Sequence, residues 1–401
     1  MAFASEPLWT ICQIGARENY AIARALQRKG RLGRLVTDMW ADGIIGRVST
    51  RLGERWHQEL AQAQVVAPTI SALRRALQDQ VARKEGWSQI MDRNAWFQRV
   101  AAHTVMRAPE EHGIVFAYSY AAERVFAAAK ARGWPTVLGQ IDPGLSEAQL
   151  VADLYKLAGQ VHEHIPSAYW ESWRRETALA DLILVNSEWS RQGLLNEGVA
   201  PDKIVVVPLA YESQKVTSPK ETSPTFRSER PLRLLFLGQV TLRKGIDIVL
   251  DAMALLPDLP LRLDVVGPLQ IQIPETATVD ERIIFHGAVP RSKAAEFYSA
   301  ADIFLFPTRS DGFGLTQLEA LSAGVPIISS DRCGAVVEDG KNGFVLQNLE
   351  PKALADLIAF LLHSPSLVQA LSDGATLSDR FSIDRLGSRL MSLSSQYFNV
   401  V

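Results

Sequence analysis

Two stretches hold residue types that could bind an anionic substrate. The first is Ile303–Ser330, IFLFPTRSDGFGLTQLEALSAGVPIISS. A buried-strand pattern runs out to Pro307, a loop with Asp311, Gly312 and Gly314 follows, and a helical pattern opens around Leu315–Thr316 and stops at Gly324-Val325-Pro326. Glycines let the backbone come close to a ligand. The amides of Gly314, Leu315 and Thr316 would point out of the helix start, where the peptide dipoles favour an anion. That is a phosphate seat. Glu319, one turn in, is placed to accept hydrogen bonds from a sugar diol, as carboxylates do on ribose in other nucleotide-binding folds. The plainer alternative is a strand–loop–helix in which Asp311 only caps the helix and Glu319 faces solvent. The second stretch is Leu237–Gly245, LGQVTLRKG, in which Gly238 ends a strand pattern and Arg243 and Lys244 precede a helix. Two cations at a helix start are unfavourable unless an anion joins them, so they read as groups able to neutralise a diphosphate without a metal.

Such loops need strands that end beside them. Leu8–Ile14 is strand-like and ends at Gly15, Glu18–Lys29 reads as an amphipathic helix, and Leu32–Val36 as the next strand. Residues 40–107 are rich in Trp and Arg, mostly helical in pattern and without a clear strand. Alternation returns with Ile114–Tyr118, Ala121–Arg132, Thr136–Leu138, Leu182–Val185 and Ile204–Val207. Residues 212–230, rich in Ser, Thr, Pro, Lys and Glu, read as a linker. Strand and helix patterns then alternate again from Leu232 to Ser329. Alternation of this kind implies parallel sheets with crossover helices. The expectation is an α/β protein of two doubly wound, Rossmann-like domains, 1–211 and 231–382, facing a cleft at the carboxyl ends of their strands.

Composition bounds the function. The 401 residues are 47% hydrophobic, with 42 Lys and Arg against 44 Asp and Glu. That supports buried cores and argues against a dedicated nucleic-acid binder, which carries a basic excess. Two cysteines, Cys12 and Cys333, make no disulfide framework and suit a reducing cytoplasm. No stretch approaches the ~18 apolar residues of a membrane span, so membrane contact is expected to be peripheral at most. The near-neutral total hides an asymmetry: residues 1–110 hold 16 basic and 10 acidic residues, the remainder 26 and 34.

The stretches GQVTLRKG, the VVG at Val265–Gly267, FHGAVP with the following Tyr298 and Ala301-Asp302, and DGFGLTQLEALSAGVPII resemble the retaining GT-B glycosyltransferases, in particular glycosyltransferase family 4. Asp181–Glu188 and Lys203–Pro208 resemble the last part of that family's N-terminal domain. The resemblance implies a GT-B fold and transfer of a hexose from a nucleotide-diphosphate sugar, UDP-sugar first and GDP-mannose second, to a hydroxyl acceptor in surface-polysaccharide or lipid-linked glycan synthesis. It implies that Glu319 holds the ribose hydroxyls and that Asp311, standing where the family usually has a glutamate, contacts the transferred sugar. Amides of Gly312, Phe313, Gly314, Leu315 and Thr316 would cradle sugar and distal phosphate. Arg243 and Lys244 would stabilise the leaving diphosphate, Gly15 and Gly238 would let their loops approach it, and the Val289 backbone would receive the base. It also implies a C-terminal helix, 383–401, returning to the first domain.

Where many relatives carry a histidine after the central strand of the first domain, this chain reads Leu138–Gly144, LGQIDPG. Gln140 cannot act as a base and would position sugar or acceptor; Asp142 would assist deprotonation, or simply make a turn before Pro143. No Asp-x-Asp occurs, and no nucleophile resembling the paired carboxylates of retaining glycosidases stands out. Metal-independent transfer is the expectation, with no cofactor. A non-catalytic nucleotide-sugar binder and a nucleotide-sugar epimerase on the same fold are the competing readings. His162 and His164 lack further ligands, Tyr169–Trp173 reads as helix packing, and Cys333 as a packed residue. Arg47, Arg51, Arg55, Arg74, Arg75, Arg83 and Lys84 form either a solvated helix surface or a face toward an anionic membrane or lipid-diphosphate acceptor.

Overall fold

The computed structural model describes residues 7–41, 53–212 and 225–398. Two all-parallel sheets carry the chain. The first has seven strands: β1 (Leu8–Gln13), β2 (Leu32–Thr37), β3 (Val65–Val66), β4 (Gly113–Tyr118), β5 (Thr136–Gln140), β6 (Leu182–Val185) and β7 (Ile204–Val206), in the order β3-β2-β1-β4-β5-β6-β7. The second has six: β8 (Leu232–Leu237), β9 (Leu261–Val266), β10 (Ile283–Gly287), β11 (Ile303–Phe306), β12 (Ile327–Ser330) and β13 (Gly343–Leu346), in the order β10-β9-β8-β11-β12-β13. Central strands such as β4 and β11 are buried throughout, as parallel strands covered on both faces must be. Strand order reverses between β1 and β4 and again between β8 and β11, and crevices at such reversals are where doubly wound sheets bind ligands.

Helices cover both sheets. In the first half these are α1 (Ala21–Arg28), α2 (Thr69–Val81), α3 (Gly86–Met106), α4 (Glu123–Ala131), α5 (Leu145–Leu157), α6 (Ser167–Leu179) and α7 (Glu188–Asn196). The second half has α8 (Ile246–Ala254), α9 (Glu275–Thr278), α10 (Arg291–Ala300), α11 (Leu315–Ser322), α12 (Pro351–Leu362) and α13 (Pro365–Gly374). The last helix, α14 (Ile383–Phe398), sets Ile383, Leu386, Leu390 and Leu393 into the core beside Ile22 and Leu26 of α1. Gly387 allows that approach, because a Cβ there would stand 3.0 Å from the Ala25 carbonyl oxygen. Arg28 reaches Asp384 at 3.3 Å across the same seam.

Two local readings are corrected. The helix expected from Glu18 begins at Ala21, because Glu18, Asn19 and Tyr20 turn left-handed, with φ of 53°, 50° and 59°. Residues 40–107 do contain a strand, but β3 has two residues, too few for an alternating pattern. Arg47, Arg51 and most of the linker lie outside the described residues. Among the described residues no single helix is long and apolar enough to cross a membrane.

Candidate active site

The carboxyl ends of β8 and β11 bring the two cationic and glycine-rich stretches together. The Thr308 hydroxyl and the Arg309 amide both donate to the Arg243 carbonyl, and the Arg243 guanidinium donates to the Ser310 carbonyl at 2.8 Å. Arg309 braces the turn with paired 2.6 Å bonds to Asp247. Gly245 sits so near β11 that a Cβ would lie 2.1 Å from the Pro307 carbonyl oxygen, and its φ of 77° is one that glycine adopts without cost. Lys244 is thereby carried over the Phe306 ring, 5.1 Å from its centroid, and onto the Asp311 carboxylate. Burial, and then the neighbouring Arg243 charge, pull the Lys244 ammonium down to about 7.

Beside these cations α11 opens at Gly314, which is left-handed at φ 84° and offers no side-chain cap. The first amides of a helix have no acceptor within it, and those of Leu315 and Thr316 have no backbone acceptor among the described residues. Phe313 differs from the expectation. Its amide donates to Asp311 Oδ1 at 3.2 Å, and its ring is buried against Phe381, so it braces the loop from behind. Glu319 is half-buried and accepts the Tyr298 hydroxyl at 3.1 Å, while that hydroxyl also lies 3.3 Å from the Thr316 carbonyl. Tyr298 therefore aims the carboxylate. Val289, after β10, packs on the apolar cluster that holds Tyr298, and Gly238 at φ 146° has open space where a Cβ would stand.

The first half supplies the opposite wall. Gly312 is pressed against β5's exit: a Cβ on it would lie 1.9 Å from the Ile141 carbonyl oxygen and 3.3 Å from Asp142 Cα. Three donors converge on Asp142 Oδ1, from the Tyr120 hydroxyl at 2.6 Å, the Gln140 amide at 3.0 Å and the Gly144 amide at 2.9 Å. No described residue donates to Oδ2. Burial, and then the nearby Glu147 charge, raise the Asp142 carboxyl to about 6.

Gln140 requires a correction, because both ends of its amide are taken by protein. It is 1% exposed, Trp173 Nε1 donates to its Oε1 at 3.0 Å, and its Nε2 serves Asp142 and the Tyr120 hydroxyl. Both partners of its Nε2 lie at Asp142, so it orients that carboxylate. Tyr120 is left-handed at φ 72°, and the fully buried Glu176 holds that turn by accepting the Tyr120 and Ala122 amides. Burial pushes the Glu176 carboxyl up to about 8.

Glu147, which no motif signalled, bridges the halves. Its carboxylate accepts the Ser310 hydroxyl at 2.5 Å and lies 3.6 Å from Arg243. Trp189 Nε1 donates to the same Ser310 hydroxyl at 2.9 Å, and the Ser190 hydroxyl reaches the Gly312 carbonyl at 3.4 Å. Arg243 and Lys244 thus both rest beside carboxylates, Glu147 and Asp311.

The Gly15 amide donates to Asp38 at 2.8 Å, and Arg55, paired with Asp38 at 2.9 Å, lies over Gly15. Of the other cations grouped with Arg55, Lys84 and Arg75 lie toward Asp92, and Arg74 and Arg83 are exposed. Burial pushes the Cys333 thiol up to about 12, which removes it as a nucleophile. Trp170 and Trp173 are buried in packing, and His162 and His164 are exposed. Among the described residues, His57, Glu59 and Glu212 could hold an ion, but Arg24 and Arg28 already bind both carboxylates.

Two Rossmann-like halves define the GT-B class, and the chain has that fold. It superposes on HepE from Anabaena in complex with UDP with a TM-score of 0.64, at 16% identity, covering 97% of this chain and all of that one. With sucrose-phosphate synthase from Thermosynechococcus elongatus the TM-score is 0.65, also at 16% identity, over 99% of this chain and all of that one. Residues 218–377 match the family Glycosyl transferases group 1. Similar curated proteins include D-inositol 3-phosphate glycosyltransferase of Xylanimonas cellulosilytica, 29% identical over 55% of this chain and 58% of that protein. The corresponding enzyme 1 of Catenulispora acidiphila is 28% identical over 68% and 69%. The match thus spans between about half and two thirds of these relatives' length.

Replacing Glu319 with alanine is expected to weaken nucleotide binding about ten- to a hundredfold, from the loss of charged hydrogen bonds of about 1.5–3 kcal/mol. Titration calorimetry with UDP measures it, and unchanged affinity would remove Glu319 from the nucleotide site.

Proposed function

We propose that the protein is a metal-independent glycosyltransferase that moves a hexose from a UDP-sugar to a hydroxyl acceptor with retention of anomeric configuration. The observation that carries this reading is the convergence of Arg243, Lys244 and the open start of α11 on one side of a cleft whose other side presents Asp142. UDP in the HepE structure favours uridine over guanosine in the donor.

In this reading the diphosphate displaces Glu147 and Asp311 from the two cations. The bond from the sugar's anomeric carbon to the phosphate oxygen then breaks while charge grows on the leaving group. Fixed cations and helix-start amides stabilise that charge most where it is largest, in the transition state. Asp311, released from Lys244, is free to accept from the sugar's hydroxyls. The acceptor hydroxyl donates to Asp142 Oδ2 as its oxygen bonds to the anomeric carbon on the face the phosphate leaves. Its proton passes to the carboxylate or to the departing phosphate.

The full chain, incubated with UDP-sugars and GDP-mannose in EDTA, tests the reading by product analysis. Glycosylated acceptor or slow release of free sugar with the donor's anomeric configuration is expected. An isomerised donor would make it an epimerase, tight binding without turnover a binder, and activity restored only by Mn²⁺ or Mg²⁺ would end metal independence.

A further inference from the structure

A cavity of about 670 Å³ lies where the chain crosses between the two halves, and none of its lining residues belongs to the site described above. That volume falls within the ~300–1,000 Å³ of pockets that enclose small ligands. One wall is Val205–Val207, at β7, the edge strand of the first sheet. The other is the returning crossover at Ser378–Arg380 and the face of α14 that carries Arg385 and Arg389. The two crossovers are tied together, because the Tyr211 amide donates to the Phe381 carbonyl at 2.9 Å.

Three arginines share this cavity with one carboxylate, Asp379. Arg385 takes that carboxylate at 2.7 Å. Arg389, one turn further along α14, makes no hydrogen bond or ion pair with a described residue. Like charges at this spacing repel. Burial, and then the charges of Arg380 and Arg385, hold the Arg389 guanidinium below its usual range. Arg380 Nη2 donates to the Ala335 and Val336 carbonyls at 2.9 and 3.4 Å, while its Nε is buried without a partner. A buried N–H without an acceptor is costly. Guanidinium groups converging on one pocket match the paired oxygens of carboxylates and phosphates.

The arginines are anchored to different halves. Val336 packs in the core of the second half with Phe304 and Leu318, so the bond to its carbonyl holds Arg380 there. Arg389 belongs to α14, which buries Leu386, Leu390 and Leu393 in the core of the first half. We infer that this cavity binds a small soluble polyanion, one carrying two or more carboxylate or phosphate groups, which joins Arg380 to Arg389 and so ties the two halves together. A monoanion lacks the second group that such a bridge needs. A ligand that bridges both halves favours the arrangement it binds, which makes the cavity an effector site, independent of the chemistry proposed for the cleft.

Titration calorimetry on the full chain tests it, at fixed ionic strength and with UDP present to keep phosphates out of the cleft. The probes are citrate, tripolyphosphate and acetate. Expected is saturable binding of citrate or tripolyphosphate and none of acetate. That binding should weaken at least about tenfold in Arg389→Gln and in Arg380→Gln, and be partly kept in Arg389→Lys. Tighter binding of citrate assigns a polycarboxylate; tighter binding of tripolyphosphate assigns a polyphosphate. No saturation by either polyanion, acetate binding as tightly as they do, or equal binding by wild type and Arg389→Gln overturns the inference. Full binding by a folded Arg380→Gln overturns the bridge between the halves. Arg389 has no partner to lose among the described residues, so its variants carry the test should Arg380→Gln fail to fold.

Discussion

Lys244→Ala is expected to lower kcat/KM by about 10²–10³, the range seen when one donor to a developing oxyanion is removed. The expectation rests on where the ammonium is held. Its side chain is 15% exposed, lies over Phe306 and is oriented by Asp311, so it is fixed before donor arrives. A charge already in place stabilises the leaving group without reorganising solvent. The same burial that fixes it makes it titrate near neutrality, because its pKa is lowered to about 7. The sign follows directly. Below 7 the group is protonated and attracts the diphosphate, and as pH rises through 7 the free protein loses that charge. UDP-sugar affinity is therefore expected to fall between pH 6.5 and 8.5, with a proton taken up on binding above 7. Lys244→Arg, permanently charged, should flatten the profile. Affinity independent of pH in the wild type, or a sloping profile in Lys244→Arg, would detach the effect from this residue.

What the sequence disclosed and what it hid divide by distance along the chain. The strand, glycine loop and helix start of 303–322 were legible because they fall within one stretch, and local pattern dictates local backbone. Arg243 and Lys244 drew notice because two cations before a helix are anomalous without an anion, and in the fold both meet carboxylates. Parallel sheets followed from alternating periods, though β3, with two residues, left no period to read. Gln140 was misassigned because its partners depend on tertiary packing: Trp173 lies 33 residues away and Tyr120 20 residues away. Glu147 was invisible for the same reason, since its contact with Ser310 spans 163 residues. Phe313 belongs with them, since a loop's spacing does not say whether an amide faces ligand or the adjacent carboxylate. The left-handed turn at Glu18–Tyr20 defeats propensity altogether, as side-chain-bearing residues there are strained. Such strain, beside the Gly15 loop and with Tyr118 donating to Glu18, is the kind of local conflict that sites tolerate.

Asp142→Asn is expected to reduce kcat by about 10²–10⁴, the span of general acid–base contributions, while leaving UDP affinity within a fewfold of wild type. Asparagine can keep the three donors on Oδ1, but it places an NH₂ where Oδ2 must accept from the acceptor hydroxyl. The variant thus changes the chemistry more than the fold. Because the carboxyl is raised to about 6, activity is expected to be present above that pH and lost as pH falls through it. Two further variants separate proton acceptance from simple support. Glu147→Gln removes the negative charge that helps raise Asp142, so the acid limb should move to lower pH. Gln140→Leu removes a hydrogen bond that stabilises the carboxylate, so the limb should move to higher pH. The second change also strands the buried Trp173 Nε1, at a stability cost of about 1–3 kcal/mol. Opposite shifts of the acid limb of kcat in these two variants would place the titration on Asp142. A limb that stays fixed in both, or an Asp142→Asn enzyme turning over at the wild-type rate, would leave the departing phosphate as the group that takes the acceptor's proton.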